Sequence, residues 1–115
     1  MLFSGSLKEN RLFRRLYRKG TSAANGSLVL YFRENGTDRN RIGLTVSGKL
    51  GCAVVRNRLR RRLREIYRLH EGGFRRGIDV IVVARSRAVT APYAKLERDY
   101  LSLARSLGLY REDKE

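Results

Sequence analysis

Side chains that break bonds work in sets: carboxylates close enough to share a metal ion, or a base beside a nucleophile. Candidates for such sets are few in this chain. It holds one histidine, His70, and one cysteine, Cys52. Asp79 stands alone at the head of an apolar run, and Glu65 and Glu97 fall among arginines. His70 lies on the apolar stripe of its segment, where core packing is the expected role. Cys52 has no base partner for a nucleophilic role. No catalytic residue and no protein-held metal is expected, so the chain reads as a binder.

What it binds is written in residues 54–70, VVRNRLRRRLREIYRLH, with six arginines among the nine residues from Arg56 to Arg64. At about 100° per residue, with Leu59 as zero, Arg64 falls at roughly 140°, Asn57 at 160°, Arg68 at 180° and Arg61 at 200°. Leu59, Leu63, Ile66 and His70 make the opposite, apolar stripe, flanked by Val55 and Tyr67. Arg58 and Arg62 share a flank with Glu65, where spacing allows modest ion pairs. A merely solvated helix face mixes signs, whereas here one glutamate stands against seven arginines. Phosphate is the partner such a face fits.

A second surface is suggested by aromatic residues. Phe13 and Tyr17 are an i, i+4 pair ringed by Arg11, Arg14, Arg15 and Arg18. Tyr31 shares strand parity with Val29, and Gly43 and Thr45 share a face of the next run. Aromatics interleaved with cations suit an unpaired nucleic-acid strand, since stacking on each base is worth about 1–3 kcal/mol. Ordinary core packing competes for these three rings; Phe32 and Tyr67 are assigned to the core.

The elements that must position these groups follow from periodicity. Residues 1–6 read as a loose N-terminal tail. NRLFRRLYRKG is a helix capped by Asn10, or earlier by a Ser6–Glu9 box, and stopped at Gly20. SLVLYFRE and RIGLTVS alternate as strands around the turn ENGTDRN, and TSAA offers a short extra strand. Residues 53–70 form the arginine helix, and IDVIVVA is a strand covered on both faces. A last helix is capped by Thr90, carries Pro92 in its first turn and Tyr93, Leu96, Tyr100, Leu103 and Leu107 on its stripe, and ends at Gly108. The whole, residues 1–115, reads as one α/β (α+β) sandwich domain in α-β-β-(β)-α-β-α order, with helices on a mixed sheet.

Composition agrees. Lys and Arg number 26 against 11 Asp and Glu, for a net charge of +15, and 21 of the cations are arginine, whose planar fork suits phosphate. The single cysteine fits a reducing cytosol, and no apolar stretch is long enough to span a membrane.

The stretch GKLGCAVVRNRLRRRLREIY resembles the protein subunit of bacterial ribonuclease P, whose hallmark is an RNR-centred helix preceded by G-x-A-V. FRRLYRKG, TSAANGSLVLYF, RIGLTVS and IDVIVVARSRA extend the likeness over roughly residues 7–107. The resemblance implies a ribosomal-protein-like sandwich in αβββαβα order, with a mixed four-stranded sheet and a left-handed crossover through the arginine helix, against the usual right-handed preference. It implies removal of the 5′ leader from precursor tRNA, with Mg²⁺-dependent chemistry carried by a catalytic RNA. The implied partners are that RNA and precursor tRNA, not DNA or a membrane, in the cytoplasm. Arg56, Asn57, Arg58, Arg60, Arg61 and Arg64, with Arg68 and Lys49, would face the catalytic RNA. Phe13, Tyr17 and Tyr31 would hold the leader in a central cleft. Gly48 stands where the family's S-K-K loop has lysine, and Cys52 where asparagine is common. A ribosome-associated protein packing on ribosomal RNA is the competing class; a stand-alone nuclease is a distant third.

Overall fold

Alternating apolar residues mark the strands Leu28–Glu34 and Asn40–Thr45, and a continuous apolar run marks Ile78–Ala84. In the computed structural model, which describes residues 2–7 and 9–112, the strands that form are β1 (Ser4–Ser6), β2 (Thr21–Ala24), β3 (Leu28–Glu34), β4 (Asn40–Thr45) and β5 (Ile78–Ala84). They form one mixed sheet in the order β1-β4-β5-β3-β2. The β-branched run of β5 takes the centre, as a strand apolar on both faces must. It runs parallel to β4 and antiparallel to β3, while β1 runs parallel to β4 along the outer edge.

The helices are α1 (Asn10–Lys19), α2 (Ala53–His70), α3 (Ser86–Thr90) and α4 (Tyr93–Ser106). Sheet parity divides them. Leu28, Leu30, Val80 and Val82 join Leu59, Leu63 and Ile66 of α2 and Leu96 and Tyr100 of α4 in the main core. The other face carries Ile81, packed with Leu7 and Leu16, and flanked by Phe13, Tyr31 and Val83. So α1 lies across the sheet from α2 and α4.

The sequence-based expectations differ from this structure in four places. Ser4–Ser6, expected in a loose tail, form β1, so the sheet has five strands rather than four. Phe3 and Leu7 are buried, anchoring the strand at both ends, but three residues of SGS carry no periodicity to reveal it. Neither Ser6 nor Asn10 caps α1: Glu9 occupies the capping position without a side-chain bond, and Asn10 is the first helical residue. Thr90 closes the short α3 instead of capping the last helix, which starts after Pro92.

The fourth difference is His70. Its side chain is 26% exposed and bridges two helices, with Nε2 2.8 Å from Glu97 Oε2 and Nδ1 3.1 Å from the Tyr110 hydroxyl. The expected stop at Gly108 is in place. With φ at +74°, Gly108 donates to Arg105 O, and Leu109 to Ala104 O at 2.8 Å, the paired bonds of a left-handed helix cap. No helix among the described residues is long and apolar enough to cross a membrane.

Candidate nucleic-acid interface

An 18-residue helix with a narrow apolar stripe must show the rest of its surface, and α2 divides that surface by angle. Asn57 and Arg61 point away from the core and are exposed. Arg68 is exposed too, and donates two bonds to Glu65, at 2.8 and 2.6 Å. That pairing holds the Glu65 carboxyl below its usual range. Arg58 and Arg62 turn toward α3, where Arg62 donates to Ala91 O at 3.2 Å. Arg56 folds back on the helix entry, its Nε donating to Gly51 O at 3.2 Å. Lys49 is exposed on the helical turn Gly48–Leu50, just ahead of α2.

Cys52 occupies the capping position of α2, exposed. The backbone N–H groups of Val55 and Val54 pull its thiol below the ordinary value. Among the described residues, the groups that act on the thiol are backbone N–H groups and Arg56, none of them a base, so a lowered pKa alone gives no catalytic pair.

Arg60 and Arg64 behave differently from their neighbours. They hang over a groove of about 210 Å³ whose other walls are Gly5, Ser6 and Leu7, the Phe13 ring, and Ile42–Leu44 of β4. The groove opens where β1 ends. Pairing with β4 stops at Ser6↔Ile42, so no strand covers the outer edge of Gly43–Thr45. Guanidinium groups, a bare strand edge and an aromatic ring thus meet in one cleft.

The ring belongs to a larger aromatic floor. Tyr31 and Gly43 flank Ile81 across three adjacent strands, on the α1 side of the sheet. Tyr17 meets Tyr31 edge-on with centroids 4.9 Å apart, and Phe13 meets Tyr17 at 6.4 Å. The Tyr17 hydroxyl lies 2.7 Å from Thr45 Oγ1. Gly43 is required here: a Cβ at that position would stand 2.5 Å from Phe13 Cζ. Tyr17 is 40% exposed, and Phe13 and Tyr31 are half-buried, so the floor is open rather than sealed core. All three predicted aromatic residues therefore come together, and two of the eight predicted polar ones join them.

What periodicity missed is the far end of the groove. Tyr67, assigned to the core, is buried but spends its hydroxyl on Ser4 Oγ at 2.6 Å and Asn40 Nδ2 at 3.1 Å. Glu71 was not singled out, yet it is buried and binds the start of the chain. One signal for both was present: residues 60, 64, 67 and 71 follow i, i+4, i+7, i+11 spacing along a single flank.

Comparison with known proteins agrees with this geometry. A family profile described as Ribonuclease P matches residues 4–108. A ribonuclease P protein component from Alkaliphilus oremlandii is 43% identical over 103 residues, covering 90% of each chain. The RNase P protein of Staphylococcus aureus superposes with a TM-score of 0.85 at 32% identity, covering 95% of this chain and 98% of that one. The Thermotoga maritima RNase P protein gives 0.80 at 32% identity, covering 87% and 96%. An arginine helix, an open aromatic floor and a shared fold lead to one assignment: the chain belongs to the ribonuclease P protein family.

Proposed function

We propose that this ribonuclease P protein grips two RNAs, the catalytic RNA of its particle along α2 and the unpaired leader of precursor tRNA in the cleft. Membership of the family makes it part of an endoribonuclease ribonucleoprotein that processes tRNA, with an RNA subunit as partner. Arg56, Asn57, Arg58, Arg61 and Arg68, with Lys49, offer phosphate contacts on the outer side of α2. Arg60 and Arg64 stand at the border and serve both RNAs. Phe13, Tyr17 and Tyr31 give unpaired bases a stacking surface that demands no particular sequence.

The observation that carries this reading is the meeting of Arg60 and Arg64 with Phe13 around the bare edge of β4. Phosphates and bases of one strand need a cationic wall and an aromatic floor at the same place. The hydrolytic step is assigned to the RNA subunit and its Mg²⁺. Among the described residues no three His, Cys, Asp or Glu side chains converge on one point. The protein's contribution is binding free energy: leader contacts raise substrate affinity, and positive charge beside the reacting phosphate eases Mg²⁺ binding to the RNA. The cytoplasm, where tRNA precursors arise, is the proposed location.

The test is leader cleavage by the RNA subunit at low Mg²⁺, with and without the protein. Added protein is expected to restore cleavage. Arg61→Ala is expected to weaken RNA-subunit binding and lower its salt slope by about one. Phe13→Ala and Tyr31→Ala are expected to weaken precursor binding while leaving mature tRNA nearly untouched. Equal loss for both tRNAs would remove the leader from the cleft, and cleavage by the protein alone would overturn the division of labour.

A further inference from the structure

Glu71 is a buried carboxylate in a chain of net charge +15, and no cation neutralises it through a salt bridge among the described residues. It is 3% exposed and accepts two backbone bonds, from Leu2 N–H at 2.6 Å and Phe3 N–H at 3.0 Å. A carboxylate removed from water is tolerated only where donors replace its hydration. Here the replacement donors are Leu2 and Phe3, just before β1 and 69 and 68 positions earlier in the chain.

The rest of β1 is held in the same direction. Ser4 Oγ meets the Tyr67 hydroxyl at 2.6 Å, Asn40 N–H donates to Phe3 O at 3.0 Å, and the Arg76 guanidinium covers the Phe3 ring at 4.2 Å. Three strand residues cannot hold an edge position through ladder bonds alone, so side chains from the end of α2 secure them. Tyr67 and Glu71 continue the flank of α2 that carries Arg60 and Arg64. The docked strand in turn supplies Gly5, Ser6 and Leu7 as the wall facing those two arginines.

We infer that Glu71 is a positioning residue for RNA in the groove: it clasps β1 against the end of α2, and the clasped strand fixes the width of the groove beneath Arg60 and Arg64. This rests on the leader-binding reading for the identity of the RNA, but not for the clasp itself. With the clasp open, the wall formed by Gly5–Leu7 is lost, and the two guanidinium groups face open solvent instead of a bounded slot. Arg61 and Asn57, on the outward side of the helix, do not feel the change.

The test uses Glu71→Gln in the full chain, with Ser4→Ala as a milder variant that removes the hydroxyl facing Tyr67 and Glu71 but leaves the two backbone bonds to the carboxylate. Both are compared at a temperature where their circular dichroism is native. Amide exchange at residues 3–7 is expected to rise about tenfold or more in Glu71→Gln, and less in Ser4→Ala. In the reconstituted particle, preference for precursor over mature tRNA is expected to fall about fivefold in Glu71→Gln, with RNA-subunit affinity within about twofold. Affinity of the free protein for a short unpaired oligoribonucleotide is expected to fall in parallel.

Unchanged exchange at residues 3–7 would show that Glu71 is not the clasp. Faster exchange with unchanged precursor preference and oligoribonucleotide affinity would reduce β1 to a structural edge. Phe13→Ala separates the two readings. If it leaves precursor preference intact, the leader assignment falls, and the oligoribonucleotide measurement still decides the clasp.

Discussion

Gly43 shows how little room the groove leaves. Its missing side chain is the space Phe13 occupies, and a Cβ there would stand 2.5 Å from the ring. Phe13 is half-buried on a surface helix, so Gly43→Ala is expected to push the ring outward rather than unfold the sheet. Overpacking of this kind costs about 1–3 kcal/mol, and an open site falls at the low end. The expected outcome is a small drop in melting temperature with a clear loss of precursor over mature tRNA preference. A variant with lowered stability and wild-type preference would mean that the ring's position does not matter to binding. Arg60 and Arg61 make the same point from the charged side. They are neighbours in sequence, yet one lines the groove and the other faces outward, because a single helical step turns the side chain by about 100°.

At the scale of elements, long signals were readable and short ones were not. The strands at residues 28–34 and 78–84, the arginine helix and the last helix all carry enough apolar repeats to declare themselves. Gly108 was readable as a helix stop because only glycine accepts its φ of +74° without strain. Gly108→Ala is expected to cost about 1 kcal/mol, a fall of about 4 °C in melting temperature, with RNA binding unchanged. An unchanged melting temperature would mean that the end of α4 contributes nothing to stability. β1 was unreadable because SGS has neither alternation nor β-branched residues. Its place is dictated by bonds to Glu71, Tyr67 and Asn40, which no local pattern encodes. His70 fell on the apolar stripe but faces Glu97 and Tyr110, since the partners of a helix end depend on which element packs there. The candidate site divided likewise: aromatic residues and the arginine face were legible, while the inward turn of Arg60 and Arg64 required the end of β1.

For the whole molecule, the scarce acidic groups matter to stability more than their number suggests. Burial alone would raise the pKa of Glu71, but the Ser4 hydroxyl and the Leu2 and Phe3 N–H groups outweigh it and hold the carboxyl below its ordinary value. Asp99 is similar: burial works upward, Lys95 and Ser27 work downward more strongly, and the net value is lowered. A carboxyl whose folded value lies below its unfolded one stabilises the fold above the unfolded value, about 4 for either residue. That stability is lost as pH falls through the folded value. Denaturant midpoints taken from pH 6 downward are therefore expected to hold level and then drop below about pH 4. Glu71→Gln is expected to start lower and fall less steeply. Equal slopes in the two proteins would remove Glu71 from the acid response.

The clasp on β1 also bears on how the chain is made. Leu2 is made well before Glu71, the residue 69 positions later whose carboxylate receives its N–H. Until residues 40–45 emerge, β1 lacks the β4 edge beside it, and until Glu71 emerges it still lacks its acceptor. A long greasy strand left waiting in this way would invite pairing with other chains. Ser-Gly-Ser is a poor template for that, so a weakly adhesive β1 allows the groove to be completed late in synthesis without aggregation.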